Sequence, residues 1–314
     1  MVIPGSVKAD ELHLFYEDLV RKLRGRGVLC AITSGLACVH YGVAETTKDC
    51  DLLCHPGEFD QLLDLLECTT IEHVSCAYRG NISPPLDIRW HEGGWTSHFE
   101  WPIQTGAVTL DVFGHALRES GPWGEELFGL YASPQTVAEM KRTNRDKDWG
   151  FITALGVRMV QAEDQRGWLH IFNADTLAEL LTQHSCAPEM AVRRPALKMA
   201  MEGDTRTPGA LNAERKLWEQ LDIRRIKILE RHLRPYVSAV RKARHARDLS
   251  LLDEHKLRID CALQHLPPNP LKDYGLEKYV AECRAALVSL GLVPENALAW
   301  LPDVMLYFTW LEKA

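Results

Sequence analysis

The chain reads as α/β in the α+β sense: a mixed sheet with helices over residues 1–160, followed by an all-helical unit over 161–314. Three observations carry that expectation. Short apolar or β-branched runs alternate with helical patterns in the first half, whereas from Pro134 onward apolar positions recur at helical spacing. A length of 314 residues also allows about two domains at roughly 150 residues each.

Residues 9–25 carry apolar positions at helical spacing and end in Gly25 and Gly27, an amphipathic helix with a glycine stop. Val28 to Thr33 is a short buried strand, and Ser34-Gly35 turns it into a short helix over Leu36 to Gly42. Cys50 to Cys54 is a second strand, and Glu58 to Glu67, after Pro56-Gly57, a helix. Further strands are expected at 71–78, 86–90 and 107–113, with Gly, Pro and Trp between them. Helices are expected at 134–143, 148–162 and 175–184, then a Pro-, Gly- and Thr-rich loop over 185–212. Long helical stretches follow at 212–246, interrupted near Pro235, and at 249–265; beyond Pro267-Pro268-Asn269-Pro270 come helices at 275–290 and 296–312.

Apolar residues make up 46% and charged residues 25%, which excludes a disordered tail, a collagen-like fibre or a simple repeat. The net charge of −7 argues against positive charge over the whole surface but leaves room for a local basic face. Residues 1–160 hold 14 Lys/Arg against 22 Asp/Glu, and residues 161–314 hold 22 against 21, so the acid excess lies in the first half. Arg224 to Arg247 nonetheless contains nine Lys/Arg and one acid, Glu230. That stripe suits RNA phosphates, although a solvated helix face is the plainer reading. Nine cysteines without a Cys-x-x-Cys pair, and no leader pattern at the start, are what a reducing cytoplasm leads one to expect. Cys50, Cys54 and His55 invite a zinc reading, but buried small hydrophobes fit better. Trp90, Trp95 and Trp101 read as hairpin core before they read as a wall for a base. No run of about 18 apolar residues offers a membrane span.

The chemistry concentrates at Ser34-Gly35 and Thr47-Lys48-Asp49-Cys50-Asp51. Residues i and i+2 of a strand share a face, so Asp49 and Asp51 present two carboxylates side by side. Adjacent carboxylates repel unless a cation sits beside them, and hard divalent ions take oxygen ligands together with bound phosphates. A Ser-Gly turn entering a helix offers backbone N–H groups to such a phosphate.

Ser34-Gly35-Leu36-Ala37, then Tyr41-Gly42, then Thr47 to Leu53 resemble the nucleotidyltransferase fold of the DNA polymerase β superfamily, and most of all its AbiEii-like and minimal members. Leu110-Asp111-Val112-Phe113 resembles that family's third carboxylate, and Ser133 to Arg142 with Arg145 and Lys147-Asp148 its late motif. The resemblance spans residues 28–155 and implies a nucleotidyltransferase-fold mixed sheet. It implies a Mg²⁺- or Mn²⁺-dependent transfer of an NMP from an NTP, ATP first among them, to a hydroxyl of an RNA end or a protein. Asp49, Asp51 and Asp111 would then hold the metals, with Asp111 also the base and Lys141 neutralising pyrophosphate. Ser34, Gly35, Lys48 and Arg145 would bind the nucleotide. Asp87 is a rival third carboxylate; Asp111 is preferred for its spacing to Ser133-Pro134. Glu45 stands where relatives often carry an arginine, and an acid there weakens anion binding. A catalytically inactive module of the same fold is therefore the alternative. A toxin–antitoxin-like role is implied by the same resemblance.

Overall fold

The computed structural model describes residues 9–47, 49–104, 106–116, 123, 129–244 and 249–308. Helix α1 (Ala9–Gly25) buries Phe15, Tyr16, Leu19, Val20 and Leu23 along one stripe, and Gly27 follows it at φ 84°. Strand β1 (Cys30–Thr33) runs directly into helix α2 (Ser34–His40), so Ser34 and Gly35 are the first turn of that helix. Strand β2 (Cys50–Cys54) and helix α3 (Phe59–Glu67) follow where the spacing predicts them.

The 71–78 region is not one strand. Strands β3 (Thr70–Ile71) and β4 (Val74–Ser75) form a separate hairpin, turned by Glu72 and His73 at positive φ, and β5 (Ala77–Tyr78) joins the main sheet. Residues 86–90 are not a strand either. Asp87 accepts a hydrogen bond from the Arg89 amide at 2.9 Å and caps helix α4 (Ile88–His91). Strand β6 (Thr96–Trp101) lies among Trp and Gly residues that read as turns, and β7 (Val108–Phe113) completes the sheet.

The five-stranded sheet has the order β1-β2-β7-β6-β5, with β2 and β7 parallel and the other neighbours antiparallel. One face carries Leu52, Phe99, Trp101, Leu110 and Val112 and is fully buried. Helix α1 covers it: the Phe15 ring meets Trp101 edge-on at 5.3 Å, and the Tyr16 hydroxyl donates to the Thr109 carbonyl at 2.5 Å. Alternation puts Asp51, Asp111 and His98 on the opposite face, in register across β2, β7 and β6.

From Pro134 onward the described residues form helices and 3-10 turns with no strand. They are α5 (Pro134–Met140), α6 (Asp148–Gln161), α7 (Ala174–Gln183), α8 (Pro188–Arg193) and α9 (Pro195–Met201), then α10 (Thr207–Arg244), α11 (Leu251–His265), α12 (Pro270–Tyr274) and α13 (Leu276–Ser289). The expected loop at 185–212 is largely helical, because Pro188 and Pro195 each start a helix, where a missing N–H costs nothing. Pro235 lies inside α10 on its exposed side and does not end it. The expected helix at 296–312 is instead two 3-10 turns, Glu295–Trp300 and Val304–Tyr307; residues 309–314 lie outside the described ones. Leu217, Trp218 and Leu221 of α10 share one apolar cluster with the sheet, so the long helix packs on the core built by the first half. No helix among the described residues is long and apolar enough to cross a membrane.

Arg258 of α11 is fully buried, donates to the Ser83 carbonyl and to Glu254 Oε1 at 2.6 Å each, and lies 4.5 Å from the Tyr78 ring. Arg258→Ala leaves Glu254 with Arg244 as its ion-pair partner among the described residues. The expected loss is about 3–5 kcal/mol in urea unfolding, since half of a buried ion pair is left behind.

Candidate functional site

The turn from β1 into α2 is unusual in its backbone. Ser34 sits at φ 54°, a left-handed conformation that L residues rarely hold, and Thr33 places no side-chain cap on the helix. Gly35 is required by contact: a Cβ there would lie 2.4 Å from Thr47 Oγ1. Gly35→Ala pushes the turn away from residues 44–47 and is expected to cost about 1–3 kcal/mol in thermal or urea unfolding.

Asp51 projects from β2 beside this turn, with the Ser34 side chain near its carboxyl. Burial pushes the Asp51 carboxyl up to about 6, the nearby Asp111 charge adds to the rise, and the Ser34 side chain, Lys141 and Arg145 oppose it. Asp49 is exposed just ahead of β2 and accepts from Thr109 Oγ1 at 3.0 Å. Asp111 stands opposite Asp51 in the β2–β7 register. Its Oδ1 lies 2.7 Å from Arg79 Nη2 and 2.8 Å from His98 Nδ1.

The late motif forms the facing wall. Lys141, 4% exposed at the end of α5, has Nζ 3.4 Å from Asp148 Oδ1 and 5.4 Å from the Phe151 ring centre. Arg145 is exposed, with Nε 2.9 Å from Asp148 Oδ2, and Thr143 Oγ1 donates to the same oxygen at 2.9 Å. Asp148, 1% exposed, thus holds both cations from the first turn of α6. The Asn144 amide donates to Asp222 Oδ2 at 3.0 Å, which ties this loop to α10.

A cleft of about 160 Å³ brings Ser34, Gly35, Asp49 and Asp51 together with Lys141, Arg145 and Lys147. Asp111 does not line it. Lys48 lies outside the described residues, and the exposed Glu45 is not among the lining residues although Ala44 and Thr46 are. Asp87 caps α4 and pairs with Arg89 at 2.8 Å, away from this cleft. Larger hollows of about 330, 400 and 510 Å³ lie elsewhere and contain no paired carboxylates.

The donor set decides which cation the cleft suits. Asp49 and Asp51 with the neighbouring hydroxyls are oxygen donors, the chemistry of a Mg²⁺-type ion that keeps water and phosphate in its shell. Among the described residues, no three His, Cys, Asp or Glu side chains converge into a metal-sized group. The thiols of Cys50 and Cys54 are buried on β2, and His55 Nδ1 accepts from the Gly57 amide.

The three tryptophans are core: Trp90, Trp95 and Trp101 donate to the carbonyls of Leu266, Pro267 and Thr69, each at 3.0 Å. In the basic stripe, Arg224, Arg225 and Arg244 pair with Glu282, Asp222 and Glu254. Lys227, Arg231, Arg234, Arg241 and Lys242 are exposed, and none has an ion pair among the described residues; Arg247 lies outside them. The sequence does not single out Arg79 and reads His98 as a packing or surface residue, because His98 lies on a strand that reads as turns. Period-two alternation of Ser97, Phe99 and Trp101 is the signal that finds it.

No family model matches the chain, and neither the curated proteins nor the solved structures contain a match.

Proposed function

We propose that the chain is a Mg²⁺- or Mn²⁺-dependent nucleotidyltransferase with the DNA polymerase β type of fold. It moves an NMP from an NTP, ATP first among them, to a hydroxyl of an RNA end or a protein. The observation that carries this reading is the meeting of Asp49 and Asp51 with Lys141, Arg145 and Lys147 in one cleft of about 160 Å³. Paired carboxylates call for a cation and clustered Lys/Arg for an anion; a metal-bound polyphosphate supplies both. The volume falls below the roughly 300–1,000 Å³ of common small-molecule sites, so it suits the triphosphate end, with the base outside.

Asp49 and Asp51 would hold the cation, which when bound polarises the reacting phosphate and the attacking hydroxyl. Lys141, seated against Phe151, meets the charge of the departing pyrophosphate from a partly desolvated position where its own charge acts strongly. Asp148 keeps Lys141 and Arg145 pointed into the cleft before substrate arrives. Ser34 lies near Asp51 and favours its charged form, and Gly35 lets the chain pass close to Thr47.

A catalytically inactive module of the same fold is the second reading. It is favoured by Asp148, which already pairs with both Lys141 and Arg145. Thermal unfolding with each NTP and Mg²⁺ separates the two readings. For the enzyme, NTP and Mg²⁺ together raise the melting temperature of the wild type and leave Asp51→Ala unmoved; no shift with any NTP contradicts the enzyme and favours the inactive module. For an RNA acceptor, replacing Arg231, Arg234 and Arg241 together lowers the salt slope of RNA binding by about three. An unchanged slope removes that acceptor.

A further inference from the structure

We infer that Asp111 is withheld from the cleft's cation by Arg79 and His98, so that the metal rests on Asp49 and Asp51 alone. The inference deepens the reading of the cleft as a cation site and rests on it.

The strand register makes the arrangement. Asp111 on β7 faces Asp51 on one side and His98 on the other, all on one face of the sheet. Arg79 Nη2 at 2.7 Å and His98 Nδ1 at 2.8 Å converge on one oxygen of Asp111, Oδ1, and lie 3.0 Å from each other, so the three side chains form one cluster. Arg79 is held there by its backbone as well, since its amide donates to the His98 carbonyl at 2.9 Å. Its guanidinium is permanently charged, so a divalent ion on Asp111 would stand against a like charge only a few ångströms away. Side-chain exposures of 30% for Arg79 and 23% for Asp111 leave that repulsion less screened than on an open surface. The lining residues agree: Asp49 and Asp51 border the cleft, while His98 borders a separate hollow of about 330 Å³ beneath Arg225 and Leu229 of α10. Asp111 is thus a positioning residue that fixes Arg79 and His98, and Arg79 competes with metal for it.

Mn²⁺ titration of the full chain without nucleotide, followed by electron paramagnetic resonance, tests this directly. Asp49→Asn and Asp51→Asn each weaken Mn²⁺ binding about tenfold or more, whereas Asp111→Asn stays within about twofold of the wild type. Arg79→Gln tightens binding by about threefold to tenfold by freeing the carboxylate, and the gain disappears when Asp111→Asn is added. Arg79→Lys, which keeps a cation on Asp111, leaves affinity near the wild-type value. A tenfold loss in Asp111→Asn, or no gain in a folded Arg79→Gln, overturns the inference while the cation site stands. Absence of Mn²⁺ binding in the wild type instead overturns the cation site itself. If Arg79→Gln does not fold, the Asp111→Asn result decides alone.

Discussion

Asp51→Asn is expected to stabilise the metal-free protein at neutral pH while abolishing nucleotidyl transfer. The Asp51 carboxyl is pushed up to about 6 by burial first and by the Asp111 charge second. An unfolded aspartate ionises near 3.9. The sign follows from which state binds more protons. Below about pH 4 both states are protonated and Asp51 contributes nothing to the difference. As pH rises through the window from about 4 to 6 the unfolded chain ionises first, so stability falls, and above about 6 the whole cost is present. A shift of about two units corresponds to roughly 2–3 kcal/mol. Asn keeps the shape and hydrogen-bonding capacity without the charge, so in EDTA at pH 7.5 its melting temperature should rise by about 3–5 °C. At pH 4 the gain should vanish. A loss of stability at pH 7.5 contradicts the burial of Asp51 as the source of its raised pKa. The same cost explains why this position favours a bound cation, which would neutralise what burial makes expensive.

Lys141 carries the second large effect. Lys141 is 4% exposed, and its ammonium pairs with the 1% exposed Asp148 and lies over Phe151. Lys141→Ala removes both the charge and the stem that packs in the cleft. The expected outcome is about 2–4 kcal/mol of stability lost and a 10²–10³-fold fall in transfer rate. Lys141→Met separates the two roles, since it keeps an unbranched apolar stem of similar length. Part of the stability should return in Lys141→Met while transfer stays low. Recovery of transfer by Met would show that the charge does nothing for phosphate.

The parts of the site legible in the sequence are those whose chemistry is local. Asp49 and Asp51 are two apart on a short strand, Ser34-Gly35 follow a buried run, and Lys141, Arg145 and Asp148 lie within eight residues. The parts that escaped are long-range. Arg79 and His98 reach Asp111 from 32 and 13 positions away, through pairings of β5 with β6 and β6 with β7. Nothing in the residues around Asp111 encodes those partners. Other departures are conflicts between local rules. Asp87 precedes apolar Ile88 and Trp90, which favour a strand, yet its side chain captures the Arg89 amide and starts a helix. Pro188 and Pro195 look like breakers and act as helix starts, because proline is penalised inside a helix and welcome in its first turn. Pro235 is the reverse case: the packing of Tyr236 and Val240 carries α10 through it. The distinction between cleft and sheet face is also absent from sequence, where Asp111 counts as one more carboxylate on an apolar strand.

The central claim is that the cleft transfers a nucleotidyl group, and the most direct measurement is label transfer. The wild type, Asp49→Ala and Asp51→Ala are incubated with each α-labelled NTP, Mg²⁺ or Mn²⁺, and total RNA or cell protein. Label appearing in a macromolecular acceptor with the wild type, and absent with either variant, is the predicted result. Label transfer that persists in Asp51→Ala, or its absence from every acceptor with the wild type, contradicts the account.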